Sequence, residues 1–287
     1  MVSKEEPAPR LAVLGAGVMG TSITTLALIH GVPVVLVETD PEKRAGARTR
    51  VERELRTAQL LGARPDISQG ELLIRASAAD CRGADVVIEA ITEEPGLKVK
   101  ALTEVDAAVG ADTALVTNTS SIPVDELAEA LPHPENLLGV HFMNPSYLIR
   151  TVEVIRGSRT GERALASVER LLAALDRRGV RVGDGPGFVT SRVLHRMIND
   201  AARVVQEGRA TAEDVDTLMQ DCLGHRTGPL RTADLIGIDN LVDSLKVLHE
   251  RTGDAGCRPC ELLRRKVADG ELGRKSGRGF YTYAVGL

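Results

Sequence analysis

Leu11-Ala12-Val13-Leu14-Gly15-Ala16-Gly17-Val18-Met19-Gly20 decides how the first half of the chain folds. Four apolar residues in a row read as a fully buried strand. Three glycines close it, and a helical pattern then runs to about His30. Pro33-Val34-Val35-Leu36-Val37-Glu38 reads as a second buried strand. Strand, glycine turn, helix and strand in this order form a βαβ unit.

The alternation continues outward from that unit. Further strands are expected over residues 85–90, 114–117, 137–142, 151–155 and 179–182, with helical patterns over 42–61, 97–108 and 162–175. Short strands alternating with helices predict a mostly parallel sheet covered on both faces. The pattern changes after Gly183-Asp184-Gly185-Pro186-Gly187, and no convincing strand follows. Phe188, Val189, Val193, Leu194, Met197 and Ile198 recur at helical spacing, and helical segments follow over 212–222, 240–250 and 260–268. The expected fold class is α/β: a disordered tail over 1–9, an α/β nucleotide-binding domain over 10–185 and an all-helical domain over 186–287.

The 287 residues are 43% apolar with a formal net charge of −4, so no global charge draws the chain to nucleic acid or membrane. No apolar run has the length of a bilayer span. Four cysteines in a chain this long do not suggest a disulfide framework. Cys257-Arg258-Pro259-Cys260 has the spacing of half a zinc site or a redox pair. There is no second pair to complete a zinc site, and the preceding segment is loop-like, so neither a metal nor a redox role is expected. A cytoplasmic protein is expected.

G-x-G-x-x-G is a weak motif by itself, but here it follows a strand and opens a helix. In that setting Gly15 permits the tight turn, Gly17 lets a pyrophosphate approach the backbone, and Gly20 lets helix and strand pack closely. Val18 and Met19 lie between them at the helix start. Glu38 ends the second strand, where a carboxylate accepts hydrogen bonds from ribose hydroxyls and repels a 2′-phosphate. NAD is therefore expected rather than NADP.

His141 ends one expected strand, and Glu153 is placed near the end of the next, twelve residues on. Ligands of open α/β sheets sit beyond the carboxyl ends of strands. If the two strands are neighbours, the carboxylate would fix the imidazole tautomer and stabilise the imidazolium, making His141 a base. Ser120 follows another strand and is a candidate to hold a substrate oxygen. A histidine in such a place is also commonly a hydrogen-bonded structural residue, and the residues alone leave both readings open.

Several ordered motifs carry a resemblance across nearly the whole chain. They are Gly15–Gly20, Asn118-Thr119-Ser120-Ser121, His141-Phe142-Met143-Asn144-Pro145, Val152-Glu153-Val154-Ile155, Pro186-Gly187-Phe188-Val189 and the run from Leu272 to Tyr281. Together they resemble the 3-hydroxyacyl-CoA dehydrogenase family. The resemblance implies a Rossmann-type domain, a helical dimerisation domain, a homodimer, and oxidation of L-3-hydroxyacyl thioesters with NAD. It implies His141 as general base, Glu153 as its partner, and Ser120 in contact with substrate and nicotinamide. It also implies that Asn144, Glu93, Lys98 and Lys275 lie at the cofactor.

The departures from the family pattern shape the substrate expectation. Met143 stands where the family usually has Phe. Ser191 stands where it usually has an Asn that helps hold the substrate, and Ser is the shorter group. The family grips coenzyme A through a small polar residue and a lysine, at positions that fall here on Glu54 and Leu61. Both changes disfavour a nucleotide phosphate. The helix is also rich in arginine (Arg44, Arg48, Arg50, Arg53, Arg56), a surface suited to an acidic acyl carrier protein. The sequence-level expectation is therefore a glyceryl-acyl carrier protein substrate of polyketide extender-unit synthesis. Ordinary 3-hydroxybutyryl-CoA is the alternative, and a non-catalytic NAD-binding protein is the alternative of another class.

Overall fold

In a computed structural model, residues 9–63 and 69–284 are described; the tail expected over 1–9 falls outside them except for Pro9. The chain forms two compact units, residues 1–185 and 186–287.

The first unit is built on β1 (Leu11–Leu14), β2 (Val34–Val37), β3 (Leu72–Arg75), β4 (Val86–Glu89), β5 (Ala114–Thr117), β6 (Leu137–His141), β7 (Thr151–Arg156) and β8 (Arg178–Gly183). Their order in one sheet is β3-β2-β1-β4-β5-β6-β7-β8. The chain steps outward from β1 to β3, then returns to β4 on the other side of β1. That reversal opens a crevice at the carboxyl ends of β1 and β4, the usual ligand position in such sheets. Every pairing is parallel except β6 with β7.

Six helices occur among the described residues of this unit: α1 (Val18–Ile29), α2 (Pro41–Ala45), α3 (Ala47–Leu60), α4 (Pro95–Val109), α5 (Val124–Ala128) and α6 (Glu162–Ala174). α1 is buried from Gly20 to Ile29, which is why its sequence is apolar or small all round. α6 is buried along one face only, through Ala164, Leu165, Val168, Leu171 and Leu172.

The expected helix over 42–61 is two helices. Asp40 caps the first by accepting hydrogen bonds from Glu42 N (2.9 Å) and Lys43 N (3.2 Å), with Pro41 at the first helical position. Gly46 then ends α2 and starts α3. β3 is an addition to the expected elements. It is a half-exposed edge strand on β2, and its three apolar residues are too few to show a period.

The second unit holds α7 (Thr190–Gln206), α8 (Ala212–Asp221), α9 (Pro229–Ile236), α10 (Ile238–Thr252) and α11 (Glu261–Ala268). Ile198, Ala202, Leu230, Leu241, Leu245 and Leu263 are central to its core. No strand forms among its described residues beyond two isolated bridges, Gly273 with Arg278 and Arg278 with Thr282. The Cys257–Cys260 turn is held by Asn199. Asn199 donates to Gly256 O and Arg258 O and accepts from Cys260 N, while burial pushes both thiols up. No cluster of metal-ligating side chains occurs among the described residues. No described helix is long and apolar enough to cross a membrane.

The Gly273–Tyr283 segment is fastened by two buried carboxylates. Asp234 accepts from Phe280 N and Tyr281 N (2.9 Å each) and from the Tyr283 hydroxyl (3.0 Å). Asp216 accepts from Leu230 N, Arg231 N and the Tyr281 hydroxyl (2.8 Å each). Gly279 is required because a Cβ there would lie 2.0 Å from Asp234 Oδ1. Removing Asp234 would strand three donors, so Asp234→Ala should lower the unfolding free energy by about 3 kcal/mol. Urea denaturation checks this, and an unchanged midpoint would contradict the fastening role.

Candidate active site

The glycine turn is shaped by both fold and ligand space. Gly15 has φ +94°, and a Cβ there would lie 2.7 Å from Ala90 O. A Cβ on Gly20 would lie 1.8 Å from Gly15 O. These two glycines are demanded by packing. At Gly17 a Cβ would meet nothing within 4 Å, so this glycine faces open space. The start of α1 has neither a side-chain cap nor an acidic residue in its first turn. Its N–H groups and positive dipole end are therefore left for an anion. Val18 is 70% exposed at the same place, an apolar surface suited to cover by a ligand. Met19 is half-buried beside it.

Glu38, just past β2, links this turn to the next loop. Its Oε2 accepts from Ala16 N (2.9 Å) and its Oε1 from Asp40 N (3.0 Å). A carboxylate has about four acceptor sites, so two bonds leave capacity for ribose hydroxyls. The glycine cradle, open helix end and tethered acid fit NAD.

A second group of charges lies under the loop after β5. Glu89, the last residue of β4, is fully buried, and Lys98 on α4 is 1% exposed. Lys98 Nζ lies 2.6 Å from Glu89 Oε1 and 3.2 Å from Glu93 Oε2. Glu89 also accepts from Thr117 Oγ1 (2.7 Å) and Ile91 N (2.8 Å). Glu93 Oε1 draws in Thr119 Oγ1 (2.6 Å), Ser120 N (2.8 Å) and Ser120 Oγ (3.2 Å). The Ser120 hydroxyl is thus oriented by Glu93. Lys98, expected at the cofactor, lies between two carboxylates, one of them Glu89, a residue that the sequence motifs do not point to.

His141 and Glu153 are brought together by the reversal of β7. The antiparallel register places them directly opposite each other, with His141 Nδ1 2.8 Å from Glu153 Oε2 and both residues buried. Glu153 stands early in β7, not near its end. Antiparallel pairing is what sets an early residue beside the last residue of β6. Asn118 Oδ1 accepts from Phe142 N (2.9 Å), which ties the Ser120 loop to the chain leaving His141. The carboxylate on Nδ1 fixes the orientation of the His141 ring.

The arginine-rich helix is less of a docking face than its sequence suggests. Arg44 donates to Glu38 O (2.8 Å), Arg50 to Ala16 O (3.2 Å) and Arg48 to Leu72 O (3.4 Å). Only Arg53 and Arg56, both exposed, lack such a bond among those described. Glu54 is held by the Tyr147 hydroxyl (2.8 Å), and Leu61 is exposed. Asn144 is exposed two residues after Phe142. In the second unit Ser191 is buried in the first turn of α7, and Lys275 Nζ lies 2.6 Å from the Asp239 carboxylate.

Burial tends to raise the Glu93 carboxyl, but the Lys98 cation and the Thr119 and Ser120 hydrogen bonds outweigh it and hold the group below the usual carboxylate range. A lowered folded value gives stability that is complete above the usual carboxylate range and is lost as pH falls through the folded value. The parent protein should therefore lose stability more steeply than Glu93→Gln between about pH 5 and pH 3. Urea midpoints across that range test this, and parallel curves would refute it.

A family model described as "3-hydroxyacyl-CoA dehydrogenase, NAD binding domain" matches residues 10–185, and its "C-terminal domain" counterpart matches residues 187–283. A probable 3-hydroxybutyryl-CoA dehydrogenase of Bacillus subtilis is 38% identical over 96% of this chain and 97% of its own length. Among solved structures, Mycobacterium tuberculosis FadB2 is similar with a TM-score of 0.92 and 35% identity, over 97% of this chain and all of that one. The (S)-3-hydroxybutyryl-CoA dehydrogenase PaaH1 of Ralstonia eutropha gives 0.87 and 35%, over 96% of this chain and 99% of that one. This chain belongs to the 3-hydroxyacyl-CoA dehydrogenase family and is an NAD-dependent oxidoreductase of 3-hydroxyacyl thioesters.

Proposed function

We propose that the substrate is a short (S)-3-hydroxyacyl-CoA, with 3-hydroxybutyryl-CoA as its representative, and that His141 is the base. The observation that carries the base assignment is the buried 2.8 Å His141–Glu153 contact at the carboxyl end of β6. His141 Nε2 takes the proton of the C3 hydroxyl, and Glu153 stabilises the imidazolium that forms. Bound NAD supplies the hydride acceptor, so the C3 alcohol becomes a ketone as proton and hydride leave together. Ser120, oriented by Glu93, holds the substrate oxygen. Gly15, Gly17, Val18, Met19, Gly20, Glu38 and Asn144 are assigned to the cofactor, Lys275 to its neighbourhood and Ser191 to the substrate. Glu93 and Lys98 act from beneath Ser120.

Coenzyme A is favoured over the carrier-bound glyceryl group. The relatives that match along their whole lengths carry 3-hydroxybutyryl-CoA in their names. Three of the five helix arginines are also turned back onto backbone carbonyls. Initial rates with 3-hydroxybutyryl-CoA and glyceryl-carrier protein decide between the two. A far higher kcat/KM on the carrier would overturn the coenzyme A reading. His141→Ala should cut kcat by at least about 100-fold while leaving NADH binding intact. Near-normal turnover would remove His141 from the mechanism.

The homodimer is proposed through the second unit. An apolar groove of about 720 Å³ lies there, lined by Val193, Met197, Val204, Leu218 and Met219 among others. Val193 is 62% and Leu218 57% exposed, a surface suited to a second copy of the chain. Light scattering should give twice the chain mass for the parent and a monomer for Leu218→Glu. A monomeric parent at micromolar concentration would contradict the assignment.

A further inference from the structure

The loop between β6 and β7 joins His141 to Glu153, and side chains from three other elements hold it. Ser22 on α1 accepts from Ser146 N (2.9 Å) and shares a hydrogen bond with the Ser146 hydroxyl (3.0 Å). Arg177, just before β8, donates from Nε to Ser146 O (3.1 Å) and from Nη2 to Tyr147 O (3.0 Å). The Tyr147 hydroxyl donates to Glu54 on α3. Ser22, Ser146, Tyr147 and Arg177 are all buried.

Arg177 is the unusual member. It is 8% exposed, and its third bond goes to another carbonyl, Asp176 O (2.9 Å). No carboxylate lies within ion-pair distance of it among the described residues; its neighbour Asp176 is paired with Arg150. Burial pulls its pKa down, so its surroundings oppose the charge. Desolvating a guanidinium to serve carbonyl oxygens is costly, and an apolar side chain would fill the same space more cheaply. The bonds themselves must therefore matter. They fix Ser146 and Tyr147, two and three residues beyond Asn144. Ser22 adds a direct tie to α1, whose first turn is the cofactor cradle.

We infer that Arg177 and Ser22 are positioning residues that clamp the loop between His141 and Glu153 onto the cofactor helix, keeping the base and the hydride acceptor in fixed register. The inference rests on the assignment of His141 as base. Neither residue touches the reacting atoms. Their effect is geometric, and reactions of this kind lose rate steeply when partners shift by a fraction of an ångström to an ångström.

The test compares the full-length parent with Arg177→Lys and Ser22→Ala. Measured are kcat and KM for 3-hydroxybutyryl-CoA, the isotope effect of C3 deuteration, NADH affinity and stoichiometry, and amide exchange over residues 142–150. Arg177→Lys keeps the charge but loses the planar fork that reaches two carbonyls. It should lower kcat about tenfold per NADH-binding site and raise the isotope effect, with NADH affinity within about twofold. A purely structural residue would lower the melting temperature or the NADH-competent fraction and leave kcat per site and isotope effect unchanged. That result overturns the inference. If Arg177→Lys does not fold, Ser22→Ala decides by the same criteria. If the parent turns over no thioester, the functional reading fails instead. The clamp is then judged by loop amide exchange, which must quicken in the variant for the clamp to stand.

Discussion

The His141–Glu153 contact depends on the antiparallel return of β7 onto β6, which a purely parallel sheet would not supply. Parallel neighbours present their carboxyl ends side by side after a long crossover. The single antiparallel pair, β6 with β7, instead folds the chain straight back, so that residues twelve apart face each other across a ladder. The His141–Glu153 contact is thus the last rung of a ladder continued by Val140–Val154 and Gly139–Ile155. A strand ladder with side chains alternating at a period of two leaves the pair little freedom to drift.

The rest of the site is arranged about that fixed pair by buried charge. Glu89 and Glu93 share the one ammonium of Lys98 beneath Ser120. Removing the cation would break the buried Glu89–Lys98 pair, a cost of about 3–5 kcal/mol. The result is that a serine hydroxyl in a loop, ordinarily free to rotate, is held by a rigid acceptor.

Much of this was legible in the sequence, and for identifiable reasons. The βαβ unit, the division near Gly185 and the helical second half follow from glycine placement and apolar period. The glycine turn and Glu38 follow from chemistry that tolerates few alternatives. His141, Glu153 and Ser120 were found through their motifs, although the antiparallel pairing that joins two of them was not, because strand direction leaves no mark on a four-residue apolar run. Glu89, Ser22 and Arg177 were invisible. Each is a common polar residue whose importance comes only from being buried against a partner nine to 124 positions away along the chain. The arginines of α2 and α3 show the same effect. Charge in a sequence looks solvated until the fold supplies the carbonyls that capture it.

The fastening of Gly273–Tyr283 to Asp216 and Asp234 has a consequence for how the chain is made. The first unit closes when β8 docks on β7 and Asp184 accepts from Val124 N and Asp125 N, which requires nothing beyond Gly185. The second gains the three donors of Asp234, and the Tyr281 hydroxyl on Asp216, only when Phe280, Tyr281 and Tyr283 have left the ribosome. Domains generally fold as units and in order of synthesis. The cofactor-binding half therefore completes while the helical half is still being made, and Asp234 waits for Phe280, Tyr281 and Tyr283 to emerge.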